Sequence, residues 1–240
     1  MFDQDTPVTG RPRVCRPPAW LIATGVTLAL GVSAIPANAS AAATLTPDKA
    51  CYVNDDYTTG TPMVITGTGF IPGDTVELAG TAVATTATAQ PDGSVTFPAT
   101  AAPTLSTAEP GTLRTLLTAT DRNYRTGQTI TAQTVVTSAN LSVSTSPSEV
   151  KNLHKDKVRF RFSGFAPGKP IYGFYARKRI VAKYRFGKAR GACGTLSKRA
   201  LLFPGGHPHK LTYTVSFESR KKYSKTAAPR ITAKLDVFRL

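Results

Sequence analysis

"GTGFIPGD" runs from Gly67 to Asp74, and nearly the same turn is written again as "FSGFAPGK" from Phe162 to Lys169, with a base where the first copy closes on an acid. In each copy a run ends on small residues, an aromatic (Phe70 or Phe165) follows, and Pro-Gly takes the second and third positions of a reverse turn. Proline presets φ at about −65° for the second position, and glycine enters positive φ at the third without a steric penalty. The stretch therefore reads as a strand end turned back over a core. A phosphate-cradling glycine loop does not fit, because no Lys-Ser/Thr follows the glycines and no helical pattern stands behind them.

The two turns sit inside a longer repeat. "TLTPDKA" at 44–50 answers "STSPSEV" at 144–150, and "TATDRNY" at 118–124 answers "SFESRKKY" at 216–223, the register holding through small loop insertions. This implies two tandem units, 44–140 and 141–240. Both read as all-β. Val158, Phe160 and Phe162 alternate with Lys157, Arg159 and Arg161, a period of two that puts one set inside and the other in water. The same alternation marks Leu211 to Phe217 and Ile231 to Val237. In the first unit it marks Val76 and Leu78, Val95 and Phe97, Leu113 to Ala119 and Ile130 to Val136. Short strands between Gly, Pro, Asp and Asn turns predict about seven strands per unit and a β-sandwich.

Ahead of the repeat stand Arg11, Arg13 and Arg16, the apolar run Ala19 to Ile35, and then Ala37-Asn38-Ala39. A basic, apolar and A-x-A order reads as a Sec-type secretory signal over 1–39, cleaved after Ala39. The alternative is an uncleaved anchor, although the run falls short of the ~20 apolar residues a spanning helix needs. An extracytoplasmic, secreted or cell-surface location follows from the signal. Of the three cysteines, Cys15 precedes the apolar run, so it is not a lipoprotein cysteine, and it leaves with the signal. Cys51 and Cys193 remain, one in each unit. In an oxidising compartment they are candidates for one bridge, with two isolated thiols as the alternative.

Charge divides along the same boundary. Residues 44–140 carry four Lys/Arg against eight Asp/Glu, net −4, whereas residues 141–240 carry twenty-three against four, net +19; residues before 44 add +1 to give the formal +16 of the chain. Such asymmetry points the second unit toward an anionic partner.

The Gly-Phe-x-Pro-Gly turns and the late Thr-rich strands resemble the immunoglobulin-like modules of secreted and cell-surface proteins of high-GC Gram-positive, actinobacterial-type bacteria. The likeness spans almost the whole chain after residue 39. It implies two tandem immunoglobulin-like β-sandwich domains and says little about activity. Antibody-type domains are a poor match, since each unit has a single cysteine and the one tryptophan, Trp20, lies in the signal.

Catalytic constellations are sparse. Only His154, His207 and His209 could serve as histidine bases, and His-Pro-His at 207–209 supplies at most two zinc ligands. Asp55-Asp56 and Asp74 lack the D-x-D-x-D-G layout of a calcium loop. The chain is accordingly expected to be non-enzymatic, without cofactor or metal. The chemistry-bearing residues are instead cationic: Arg159 and Arg161; Arg177, Lys178, Arg179, Lys183, Arg185, Lys188 and Arg190; and Arg220, Lys221 and Lys222. With Ile180, Ala182, Tyr184 and Phe186 facing the core, Arg179, Lys183 and Arg185 are expected on the outer face of one strand, a guanidinium-rich surface suited to phosphate or carboxylate. Dispersed charges that keep a β surface solvated and its edges unpaired are the alternative. The expected function is a structural or interaction protein of the envelope whose basic unit binds an anionic wall or membrane-surface polymer. No element that reads nucleic-acid sequence is present, and no spanning segment follows the signal. The second hypothesis is capture of a small molecule or protein partner through strand-end loops or the groove between units, with Tyr124 and Tyr223 as candidate exposed aromatics and core-capping tyrosines as the equal alternative.

Overall fold

Period-two burial recurs along the chain from Thr44 onward, and it sorts most strands into an inward and an outward set. The structure is a computed structural model, and the described residues are 42–56, 58–123, 126–152, 155–203 and 212–236. The expected signal at 1–39, Tyr124, the three histidines, Leu211 and Val237 lie outside them.

The architecture is all-β, in several small sheets. Through Asn140 the strands are β1 (Thr44–Pro47), β2 (Tyr52–Asn54), β3 (Pro62–Met63), β4 (Ile65–Thr68), β5 (Thr75–Gly80), β6 (Val83–Thr88), β7 (Val95–Thr96), β8 (Thr100–Ala101), β9 (Thr112–Arg122) and β10 (Thr129–Asn140). They form sheets ordered β1-β4-β7, β2-β10-β9-β5-β6 and β3-β8. All neighbours are antiparallel except β2, which runs parallel to β10. The remaining strands are β11 (Ser142–Ser146), β12 (Lys157–Ser163), β13 (Pro170–Ala176), β14 (Ile180–Lys188), β15 (Leu196–Leu201), β16 (Thr212–Glu218) and β17 (Arg230–Asp236). Their sheets are β11-β12-β15 and β14-β13-β16-β17.

The sequence repeat is also a repeat of pairing. Order β1-β4-β7 is answered by β11-β12-β15, and β10-β9-β5-β6 by β17-β16-β13-β14. Even the register matches, since Gly67 faces Val95 as Phe162 faces Leu196. In each half the inward side chains share one core. Ile65, Val76, Leu78, Val95, Phe97 and Leu117 are at most 1% exposed in the first. The second is aromatic, with Phe160 4.6 Å from Phe186 and Phe162 5.4 Å from Phe217 between ring centroids. Tilted and edge-on contacts of this kind add to the area each ring removes from water.

The doubled turn closes each core from one end. Asp74 N–H donates to the Ile71 carbonyl at 3.1 Å with Gly73 at φ +79°, and Lys169 N–H to Ala166 at 3.1 Å with Gly168 at φ +72°, the type II geometry that Pro-Gly favours. Each turn is then fastened to a later loop. Phe70 N–H donates to Gly93 (3.1 Å), and Gly73 N–H to Ala89 (2.9 Å), while Ala89 N–H returns to Asp74 (2.9 Å). In the second copy Phe165 donates to Gly194 (3.3 Å), Gly168 to Ala189 (2.9 Å) and Ala189 to Lys169 (2.9 Å). The receiving loops differ by one residue: Gln90 bonds across to Ser94, and Arg190 to Thr195.

The longer loop contains Cys193, which is joined by a disulfide to Cys51, with Cα atoms 5.3 Å apart and a sequence separation of 142. The bridge lies beside a close junction. Leu141 alone separates β10 from β11, and its N–H donates to the Asn54 carbonyl at 2.7 Å. Asn140 Nδ2 donates to Thr107 O at 2.8 Å, Ser142 Oγ to Ala108 O, and Ser163 Oγ to Asn140 O at 2.7 Å. Gly164, from the second copy of the turn, lies flat against this seam, where an added Cβ would come 2.7 Å from Leu141 Cα and 2.9 Å from Val53.

Two expectations shift at sheet margins. Ile180 and Ala233, read as inward, are exposed. β14 and β17 are the edges of their sheet, and a register irregularity at the start of β14 turns Ile180 out.

Gly191 and Gly194 both have positive φ (64° and 58°), but a Cβ on Gly194 would overlap the Phe165 carbonyl whereas Gly191 faces open space. Gly191→Ala is therefore expected to cost about 1–2 kcal/mol from backbone strain, and Gly194→Ala roughly 2–4 kcal/mol because the clash adds to it. Urea denaturation of the two variants checks the difference. Replacing Cys51 and Cys193 together with Ala should lower stability by about 2–5 kcal/mol, the range for a bridge closing so long a loop, measured in the same way.

Candidate functional site

Strand alternation and sheet order decide where the cations go. On β12, Lys157, Arg159 and Arg161 point away from the core, and Arg159 stands opposite Arg199 of β15. On β14, Lys183 and Arg185 point away from the same core on the other sheet, opposite Phe174 and Tyr172 of β13. The two arrays therefore face in opposite directions. Arg177, Lys178 and Arg179 form the bend between β13 and β14, where Arg177 N–H donates to the Arg179 carbonyl at 3.1 Å. Arg179 thus precedes β14 and does not share its outer face with Lys183 and Arg185.

Arg220, Lys221 and Lys222 are exposed in the loop after β16. This loop folds back over the sheet and meets β14, because Lys183 Nζ donates to the Lys221 carbonyl and lies 4.8 Å from the Tyr172 ring centroid. The structure therefore brings Lys183 and Arg185 together with 220–222, apart from Arg159 and Arg161. Among the described residues the ion pairs are Lys49 with Asp48 and Arg230 with Glu218, so none of the twelve candidate cations is neutralised by a carboxylate within 4.0 Å.

What fastens the 219–229 loop is a charged cluster that the alternation pattern gave no reason to single out. Glu218 is fully buried on the outward side of β16, opposite Arg230 of β17. Its Oε2 accepts the Ser224 N–H at 3.2 Å, and its Oε1 lies 3.6 Å from Arg230 Nε. The rest of the guanidinium is spread over the loop: Nη1 donates to Lys225 O (2.8 Å), and Nη2 to Ser216 Oγ (3.1 Å) and Tyr223 Oη (2.9 Å). Tyr223 packs edge-on against Phe174 at 5.6 Å and is half-buried, so it is a tether for the loop. Burial pushes the Glu218 carboxyl above its ordinary value, against the pull of the Ser224 N–H and the Arg230 and Arg220 charges. The repeat gave no signal for it, because by strand register Glu218, opposite Tyr172, answers Thr120, opposite Glu77, and the first copy has no acid there.

Lys188 and Arg190 belong to a fourth place. They border a groove of about 640 Å³ between β14 and β15, the free edges of their two sheets, together with Lys198, Phe186 and Leu196. Lys198 was not among the residues singled out from sequence; opposite Phe160 of β12, it takes an inward register position on β15. Among the described residues no cluster of three His, Cys, Asp or Glu could hold a metal, and no helix is long and apolar enough to cross a membrane.

No protein-family model and no curated protein matches the chain. Among solved structures it is similar to a tetra-tandem repeat in the extending region of a large adhesion protein, at 16% identity, TM-score 0.26, covering 82% of this chain and 50% of that one. It is also similar to Parabacteroides merdae β-glucuronidase, at 11% identity and TM-score 0.26, covering 80% of this chain and 24% of the enzyme. The chain thus spans half or less of the length of these structures.

Because the fold raises the Glu218 pKa, the folded state takes up this proton before the unfolded state does. Wild type is therefore expected to gain stability relative to Glu218→Gln as pH falls from neutral toward 4.5, the ordinary glutamate value, and to lose that advantage as pH rises again. Paired urea titrations of both proteins across this window measure the difference, and a difference independent of pH would remove the assignment.

Proposed function

We propose that the chain is an exported, non-enzymatic envelope protein built of two tandem immunoglobulin-like β-sandwich units, 44–140 and 141–240, and that the second unit docks on an anionic wall or membrane-surface polymer. The observation that carries this reading is the charge of the second half, net +19, with its candidate cations free of carboxylate partners among the described residues. The sandwich reading is supported by the strand order that both halves repeat and by the parallel pairing of β2 with β10. Export is supported by the basic, apolar and A-x-A order of residues 1–39. An array of cations on several faces attracts a polyanion without needing one fixed register, which suits retention on a charged matrix more than capture of a single small ligand.

Attraction of this kind is screened within about 10 Å at 0.1 M salt and about 3 Å at 1 M. Purified Ser40–Leu240 should co-sediment with cell walls at low salt and be released as salt rises, and walls stripped of anionic polymer should fail to retain it. Retention that ignores both salt and polymer would overturn the proposal and direct attention to the strand-end loops.

A further inference from the structure

The internal repeat supplies a control for every position in the second half. Hydrogen bonds set the equivalences without reference to side chains: Ala89 answers Ala189, Gln90 answers Arg190, and Ser94 answers Thr195. Strand register extends them, since Thr66 opposite Thr96 matches Arg161 opposite Ser197. One step further along each strand, Thr88 answers Lys188 and Phe97 answers Lys198. The first copy therefore builds the same corner with Thr88, Gln90 and Phe97, where the second has Lys188, Arg190 and Lys198.

The fold does not require these three cations. In the first copy Phe97 is 1% exposed and plugs the end of the core. In the second its counterpart Lys198 is exposed, as are Lys188 and Arg190, and a groove opens between β14 and β15 over Phe186 and Leu196. Exchanging a core phenylalanine for lysine gives up the burial of a large aromatic side chain. Three like charges around one groove also repel one another, a cost that an anionic occupant reverses.

Resting on the function proposed above, we propose that this groove is the specific subsite of the basic unit, and that it takes a slim, unbranched phosphodiester chain of the polyol or sugar type. Lys188, Arg190 and Lys198 bind successive phosphates, Arg190 with a planar fork suited to two oxygens at once. Leu196 and the aliphatic stems of the lysines meet the carbon backbone between phosphates. A nucleic-acid strand is disfavoured because the aromatic residue of the groove, Phe186, is 2% exposed and offers no face for base stacking. A planar headgroup layer cannot enter a concavity between two strand edges.

The test uses disulfide-bonded Ser40–Leu240, which forms a compact unit, and a synthetic poly(glycerol phosphate) of defined length, with binding followed by calorimetry at fixed salt. Lys188→Thr/Arg190→Gln/Lys198→Gln returns the groove to uncharged residues. A second variant of equal charge loss, Lys151→Thr/Lys155→Thr/Lys234→Thr, lies outside the groove and outside the twelve candidate cations. The groove variant is expected to bind at least about 30-fold more weakly, and the second variant within about threefold of wild type, with both melting like wild type. Equal losses in the two variants would overturn the groove while leaving diffuse polyanion binding in place. Absence of binding by wild type would overturn both. Tighter binding of single-stranded DNA or of phosphatidylglycerol vesicles, lost in the groove variant, would overturn the assignment of the occupant.

Discussion

Each half of this protein depends on a backbone latch between the Gly-Phe-x-Pro-Gly turn and the loop that follows its sixth or fourteenth strand. The partners are main-chain N–H and carbonyl groups, so the latch tolerates nearly any side chain at its margins while demanding glycine where the turn needs positive φ, at Gly73 and Gly168, or where backbones nearly touch, at Gly93 and Gly194. That is why the two copies keep Gly73 and Gly168, Gly93 and Gly194, yet exchange Asp74 for Lys169 and Gln90 for Arg190. A fold held by main-chain bonds at its ends leaves its surface free to diverge. The charge contrast between the halves is one result of that freedom.

The same latch explains how the halves are held to each other. One extra residue in the second receiving loop makes room for Cys193 without breaking the pair of bonds between Arg190 and Thr195. The second turn, through Gly164, also contacts the junction at Val53, Asn140 and Leu141. A single-residue connection, hydrogen bonds on both of its sides and the covalent bridge all meet within one seam. Bending there would have to break several buried polar contacts together, and each such group left unpaired costs about 1–3 kcal/mol.

Much of the fold was legible in the sequence because its signals are local. Period-two alternation set the facing of Val158, Phe160 and Phe162, and Pro-Gly set the turn type at Gly73 and Gly168. What escaped depends on tertiary placement. Ile180 obeys the alternation rule but sits beside a register irregularity at a sheet edge. Lys198 occupies an inward register position, and only the neighbouring free edge of β14 makes that position a groove. The Glu218–Arg230 pair joins two strands across a loop that no periodicity describes, and Arg179 missed its strand by one residue because the hairpin bend is three residues wide. Composition disclosed how basic the second half is. Only the sheet order disclosed that its cations fall into four places facing different ways.

The position of the disulfide also fixes an order of events during biogenesis. Cys51 leaves the ribosome 142 residues before its partner, a delay on the order of ten seconds at about 5–20 residues per second. During that time Cys51 lacks its partner. Ser40 to Leu240 contains only these two cysteines, so within that stretch there is no mispairing to correct. An oxidant alone completes the bridge, with no isomerase needed. The competing product is a mixed disulfide between two chains, and its yield rises with the concentration of newly made protein.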